Sequence, residues 1–192
     1  KAVNCNLGEI DDVRDWMINH TLPVIDLGQK MFNYAERNML ENPDAKKHLL
    51  DFCHNIGFNI EDMAVEKDYM SLTPEMIQFI KSSGQLSDEN ASKLSKDPKM
   101  PNGFKTDFIV SVINKRGKEI YTLPKASQSE GTLRAMGIET ALYVAEQNNK
   151  LLPIDEIETS MHPLLLKFMI QSFLKVQSRS QLLLTTHYDP LF

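Results

Sequence analysis

The sequence predicts an α/β fold: an open, partly parallel sheet with flanking helices, together with a helical arm. In the last third of the chain, a helix over about 130–148 is followed by a strand over 150–155, a helix over 163–177 and a strand over 181–186. This alternation is a βαβ unit, which implies parallel strands whose carboxyl ends meet at one edge of the sheet. Earlier in the chain, residues 9–56 carry apolar residues three and four apart, which is the spacing of amphipathic helices.

Start and stop signals delimit the N-terminal helices. Thr21 and Pro23 form a helix start signal, and the sequence ENPD at 41–44 separates this first helix from a second one over 45–56. The apolar repeat of the first helix consists of Val24, Leu27, Gly28, Met31, Ala35 and Met39. We therefore expect residues 9–56 to form helices.

The middle of the chain changes from helical to β-rich texture. A strand is expected over 57–67 and a short helix over 73–81. Residues 82–103 are rich in Ser, Asp, Lys and Gly, which is typical of a flexible polar loop. Residues 106–124 contain two β-rich runs around a turn and predict a hairpin.

Three regions follow from these patterns. Residues 1–81 form the helical arm and a short strand region, residues 82–103 a polar loop, and residues 104–192 a C-terminal α/β lobe. The βαβ unit lies in the third region, so the functional site is expected there.

Composition excludes several classes of protein. The net charge of −5 does not indicate a nucleic-acid surface. Cys5 and Cys53 are far apart and form no CxxC motif, which argues against a disulfide framework or a zinc site. No apolar run is long enough for a membrane span, and no signal peptide opens the sequence, so we expect a cytoplasmic protein without a membrane partner. Because the first residue is Lys1 rather than Met, we expect a piece of a longer protein.

Polar clusters follow both strands of the βαβ unit. Asp155 and Glu156 come directly after the first strand, and Thr185, Thr186 and His187 follow the second. Because parallel strands end at the same edge, we expect Glu156 and His187 to face one crevice, although the chain separates them widely.

A third polar cluster lies upstream, in SQSEGTLRAMG. Ser129, Gly131 and Thr132 stand at the start of a helix, where free backbone N–H groups and hydroxyls can bind an anion. An alternative interpretation is that Ser127 and Glu130 form a capping box and that the segment is only a helix start.

Taken in order, these segments resemble the motifs of ABC-type ATPase heads of the RecF/SMC-like group. SEGTLR (129–134) resembles the signature motif, LLPIDE (151–156) the Walker B strand, ETSMHP (158–163) the D-loop and TTHYDP (185–190) the switch-histidine segment. The chain is most similar to AAA-type ATP-binding proteins of bacterial defence systems, akin to the OLD family. The resemblance covers 104–192 well and residues 1–80 loosely, and it implies that the helices of residues 9–56 project as an arm inserted between the two lobes of the head.

The resemblance implies an ATPase that uses ATP and Mg²⁺. Asp155 would hold Mg²⁺ through water, Glu156 would orient or deprotonate the attacking water, and His187 would contact the γ-phosphate. Ser129, Gly131 and Thr132 would grip the ATP of a second protomer.

The same resemblance implies partners. Ser160 and His162 would lie at the seam of a homodimer. An N-terminal lobe carrying Walker A would complete each nucleotide site, and DNA or an effector protein would be a further partner in a DNA-related or phage-defence process.

Two features depart from the family pattern. Pro153 lies within the Walker B strand, where its missing N–H predicts a bulge or a displaced Asp155. The sequence contains neither GxxxxGKS nor GxxxxGKT, so it has no Walker A loop. We therefore expect these residues alone to be inactive.

Two alternatives of different class remain. One is a metal-dependent hydrolase or nuclease whose metal ligands are the acidic and histidine side chains Asp155, Glu156, Glu158, His187 and Asp189. The other is a non-catalytic interaction module with the arm as its binding surface. Taken singly, Glu158 is expected to be a solvated charge. Lys115, Arg116 and Lys118 are expected to form a solvated turn, with a DNA contact as the alternative.

Overall fold

The computed structural model describes residues 8–25, 31–82 and 98–188. Its helices are α1 (Gly8–His20), α2 (Met31–Glu41), α3 (Pro43–Asn55), α4 (Pro74–Ser82), α5 (Glu130–Asn148) and α6 (Pro163–Lys175). Its strands are β1 (Ile60–Ser71), β2 (Lys99–Asn114), β3 (Gly117–Pro124), β4 (Leu151–Ile154) and β5 (Gln181–Leu184). The predicted α/β class is confirmed.

The βαβ unit has the predicted form. Strands β4 and β5 are parallel neighbours, in register from Leu151 opposite Gln181 to Ile154 opposite Leu184. Helix α6 makes the connection between them. Both strands therefore end at one edge, where the predicted site residues follow.

Residues 21–25 are extended and pair with β4, so the predicted helix start at Thr21 and Pro23 is wrong. Thr21 bridges to Leu151 and Ile25 to Ile154, both in parallel orientation. Burial of Ile25 against the core and pairing with β4 outweigh the local start signal, since proline also suits extended backbone. Of the expected apolar repeat, Leu27 and Gly28 lie outside the described residues, and helix begins at Met31.

Pro153 does not interrupt β4. The register with β5 runs without a shift through Pro153, and Asp155 N–H donates to the carbonyl of Ile25 at 2.8 Å. The irregularity lies instead in the segment that pairs with β4 on its other side. Thr21 is bridged to Leu151 and Ile25 to Ile154, so this segment has one residue more than β4 between the two bridges. The expected bulge in β4 is therefore wrong, whereas the displacement of Asp155 stays a prediction.

A second sheet is antiparallel and contains the predicted hairpin. Within the described ranges its order is β1-β2-β3. Strand β2 begins at Lys99, so 99–103, expected as loop, pair with the end of β1 instead. The remainder of the predicted loop, 83–97, lies outside the described residues.

Helices α2 and α3 pack into the main core, so the expectation that residues 9–56 project is wrong for them. Their buried side chains include Phe32, Ala35, Leu49 and Phe52. These belong to one cluster with α5, which is buried continuously from Arg134 to Leu142. An apolar face at helical spacing must be covered, and α5 covers it.

Gly137 permits the close packing of α2 on α5. A Cβ built at this position would lie 2.5 Å from the main-chain carbon of Met31. Helix α1, by contrast, exposes Ile10, Val13 and Trp16. Across the parts of the chain that are described, none of the helices combines the length and the apolar character needed to cross a bilayer.

Candidate functional site

Thr185 ties together the two acidic residues that follow β4. Its hydroxyl donates to a carboxylate oxygen of Asp155 and accepts the N–H of Glu156 at 2.9 Å. On the other side, the Asp155 N–H is held by the Ile25 carbonyl. Main chain and side chain at this strand end are therefore fixed by both neighbouring segments.

Glu156 has an uncommon backbone conformation. Its φ is 45°, in the left-handed region that non-glycine residues adopt at a cost of about 1–3 kcal/mol. Contacts on both sides hold it there: Arg134 Nη2 donates to its carbonyl at 3.4 Å, and the following N–H, of Ile157, donates to the carbonyl of Thr185 at 3.2 Å. These contacts on both sides offset the cost of the left-handed conformation and set the direction in which the Glu156 side chain leaves the turn.

Glu156 and His187 face each other across the edge, as expected. Glu156 Oε1 lies 3.7 Å from His187 Nε2. The side chain of His187 is 84% exposed, and that of Glu156 is 34% exposed. This distance is longer than a direct hydrogen bond, and a modest side-chain rotation would close the gap. Such loose contacts are common in sites without bound substrate.

Glu158 is held in place, so its interpretation as a solvated charge is wrong. Its Oε1 accepts the backbone N–H of His187 at 2.7 Å. Desolvation raises the pKa of this carboxyl, but hydrogen bonds from the His187 amide and the Thr186 hydroxyl outweigh it, so the pKa lies below its ordinary value. No motif or spacing marks this contact, because the two partners are 29 residues apart in the chain.

Ser129 caps helix α5. Its hydroxyl accepts the N–H of Thr132 at 3.0 Å and lies 2.8 Å from the Thr132 hydroxyl. Ser127 belongs instead to a short 3-10 turn, Lys125–Ser127, so the capping box proposed for Ser127 and Glu130 is wrong. The cap and a possible anion site coincide, since both use the first turn of the helix.

The turn after β4 touches the start of α5. A Cβ built on Gly131 would lie 2.3 Å from the carbonyl oxygen of Ser160, so only glycine permits this approach. Ser160 is itself left-handed, with φ of 59°. His162 caps α6 by accepting the N–H of Leu164 at 3.2 Å, which gives it a structural role. The dimer-seam role of Ser160 and His162 stays a prediction.

A groove of about 680 Å³ opens beside this contact. Its lining includes Lys125, Glu130, Arg134 and Ser160. Lys125 Nζ lies 2.8 Å and 3.0 Å from the two carboxylate oxygens of Glu36, whose side chain is fully buried. Sequence reasoning missed this pair, although Glu36 stands four residues after Phe32, where helical spacing places it on the apolar face.

Direct ligation of a metal ion finds no support in the described ranges. There, no group of three or more His, Cys, Asp or Glu side chains is arranged to hold an ion. Asp189, one member of the predicted cluster, lies outside these ranges. The oxygen atoms of Asp155 still suit a hydrated Mg²⁺, which keeps several waters and needs few protein ligands.

Comparison with known families identifies the chain. Residues 20–192 match the model of the family described as "AAA domain, putative AbiEii toxin, Type IV TA system". The chain belongs to this family. No curated protein and no solved structure matches significantly. AAA domains are P-loop NTPases that generally bind ATP with Mg²⁺. The polar edge of this AAA domain lies at the carboxyl ends of two parallel strands, which is the usual place for ligands in α/β sheets.

The individual roles of the predicted residues stay predictions. Around the edge of this AAA domain, Asp155, Glu156 and His187 are near one another. Ser129 and Thr132 hydrogen-bond each other in the first turn of α5. The structure therefore has two polar centres, joined by the contact of Gly131 with Ser160.

Proposed function

We propose that this AAA domain supplies the water-activating half of an ATP hydrolysis site, which a Walker A lobe and a second protomer complete. The observation that carries the proposal is the pairing of Glu156 with His187 at 3.7 Å, beside an Asp155 fixed by Thr185. These groups follow adjacent parallel strands, which is the usual place for ligands in α/β sheets.

Asp155 is the proposed residue for Mg²⁺. Its carboxylate is exposed and one of its oxygens is oriented by the Thr185 hydroxyl, so the donor chemistry fits a hard cation. When bound, Mg²⁺ would neutralise charge on the phosphate oxygens of ATP. Thr185 keeps the carboxylate in one orientation before any ligand binds.

Glu156 is the proposed base, and His187 the proposed contact to the γ-phosphate. The partly exposed carboxylate of Glu156 can accept a proton from the attacking water or orient it. The nearby imidazole of His187 can donate a hydrogen bond to a phosphate oxygen. Because both side chains converge from one edge, water and phosphate would be aligned for in-line attack.

A Walker A lobe is the proposed partner along β5. Within the described residues β5 pairs with β4 alone, and Leu183 on it is 61% exposed. An unpaired parallel edge beside an exposed leucine suits a further strand. A loop following that strand would reach the shared edge and provide the phosphate-binding amides and lysine that this sequence lacks.

A second protomer is the proposed source of the other nucleotide. Ser129, Gly131 and Thr132 open a long helix, and its first turn directs N–H groups outward. Ser160 lies directly against it, beside the groove lined by Lys125. This face would close on the ATP of the partner, with Ser160 and His162 at the seam, as in ABC-type and RecF/SMC-like heads.

The biological process is proposed from the family description, which names a putative toxin of a toxin–antitoxin system, and from the resemblance to RecF/SMC-like heads and defence ATPases. ATP turnover would then drive a DNA-related or phage-defence process through DNA or an effector protein.

A concentration series tests the dimer proposal. In a polypeptide that joins these residues to a Walker A lobe, the specific ATPase rate should rise with protein concentration. Ser129→Arg should abolish that rise while ATP binding to the monomer persists, because the arginine blocks the closing face. Glu66→Ala, an exposed change in the antiparallel sheet, is the matched control and should behave as wild type. A rate per molecule that is independent of concentration would contradict the proposal.

A further inference from the structure

We propose that Glu158 is a positioning residue that holds the main chain of His187 and thereby sets the imidazole against Glu156. The inference rests on the proposed function, in which His187 contacts the γ-phosphate. It assigns to the turn after β4 a task that neither the family nor the motif pattern specifies.

The main chain leaves the sheet before it reaches His187. Pairing of β5 ends at Leu184, and the next N–H, of Thr185, still donates to the carbonyl of Ile154 at 3.0 Å. At His187 the N–H instead donates to Glu158 Oε1 at 2.7 Å. A carboxylate acceptor makes this a charge-assisted bond, which is stronger than a bond to a neutral acceptor. Glu158 therefore binds the main chain just beyond the last hydrogen bond between β4 and β5.

The carboxylate of Glu158 is itself carried on a tight turn. Thr159 N–H donates to the carbonyl of Glu156 at 3.1 Å, and Met161 N–H donates to the carbonyl of Glu158 at 3.0 Å. Left-handed residues stand near both ends of this turn, at Glu156 and Ser160. Because one short turn carries both Glu156 and Glu158, it fixes the carboxylate of Glu156 and the main chain of His187 relative to each other.

This turn also joins the two polar centres of the site. Its Ser160 carbonyl lies against Gly131 in the first turn of α5, so close that a Cβ there would come within 2.3 Å. A shift of α5 on closure of the dimer would therefore move Glu158 and, through it, His187. The hydrogen bond between Glu158 and the His187 N–H would thereby transmit closure of the dimer to the pair of Glu156 and His187.

Nuclear magnetic resonance tests the bond directly on the protein itself. A scalar coupling across the hydrogen bond is expected between the amide nitrogen of His187 and the carboxyl carbon of Glu158. Glu158→Gln keeps an acceptor oxygen and should keep both the coupling and slow exchange of the His187 amide. Glu158→Ala should make that amide exchange at least tenfold faster. Absence of the coupling in the wild-type protein would overturn the inference without any variant.

Kinetics test the consequence for the reaction. In the polypeptide with a Walker A lobe, Glu158→Ala should lower kcat about tenfold or more at nearly unchanged KM for ATP, because a bond to a charged group is lost. Glu158→Gln should stay within about twofold of wild type, since it retains the acceptor. An equal fall in kcat in both variants, or a change in KM without a fall in kcat, would overturn the positioning role of Glu158. If the coupling is present but no form hydrolyses ATP, the proposed function fails while the contact stands.

Discussion

Replacing Thr185 by valine tests how the acidic edge is held together. Valine has nearly the shape of threonine but cannot accept the Glu156 N–H or donate to the Asp155 carboxylate. A neutral hydrogen bond is worth about 0.5–1.5 kcal/mol and one to a charged group about 1.5–3 kcal/mol. Because Thr185 is exposed, water replaces part of both bonds. We expect Thr185→Val to lower the free energy of unfolding by about 1–2 kcal/mol.

The same change should also release Glu156. Its left-handed backbone costs about 1–3 kcal/mol and persists only while its neighbours hold it. Urea unfolding followed by far-ultraviolet circular dichroism measures the stability, and the amide resonance of Glu156 reports its conformation. Thr185→Ser keeps the hydroxyl and should lie within about 0.5 kcal/mol of wild type. Valine and serine variants of equal stability, with unchanged Glu156 resonances, would refute the claim that the Thr185 hydroxyl holds Asp155 and Glu156 in place.

Three further changes test packing and electrostatics. Gly131→Ala places a Cβ 2.3 Å from a carbonyl oxygen, so it should lower the free energy of unfolding by about 1–3 kcal/mol despite its better helix propensity, as thermal melts would show. Lys125→Met removes the cation paired with the buried carboxylate of Glu36, which keeps only its hydrogen bond from the Thr106 hydroxyl, and should lower the free energy of unfolding by about 3 kcal/mol. Adding Glu36→Gln should restore much of this loss in urea titrations. Burial and the charge of Glu139 raise the pKa of Glu146 to about 7, so its contribution to stability is present below pH 4.5 and is lost as the pH rises through 7. The melting temperature should therefore fall between pH 5 and pH 8, and Glu146→Gln should reduce that fall.

The βαβ unit could be predicted because its signals are local. Runs of apolar residues ending in polar clusters mark β4 and β5, and one helix of fitting length connects them. The segment around Pro23 is ambiguous for the opposite reason. A threonine and a proline suit a helix start as well as extended backbone, and only pairing with β4 decides between them.

The position of the candidate site could be predicted, but the contacts that hold its side chains and main chain in place could not. Parallel strand ends bring Glu156 and His187 together whatever lies between them. The contact of Glu158 with His187 joins residues that are 29 positions apart in the sequence. The contact of Arg134 with Glu156 joins residues that are 22 positions apart. No periodicity or motif spacing encodes such contacts, because they depend on how turns and helices pack.

Substitution of Glu156 by glutamine tests the central proposal most directly. In the polypeptide with a Walker A lobe, ATP binding and ATP hydrolysis would be measured on the same preparations with Mg²⁺. Glutamine keeps the shape and much of the hydrogen bonding but cannot accept the proton of the attacking water. We expect ATP binding to persist, the dimer to accumulate and turnover to fall at least about 100-fold. Undiminished turnover by Glu156→Gln would contradict the assignment of this carboxylate as the base.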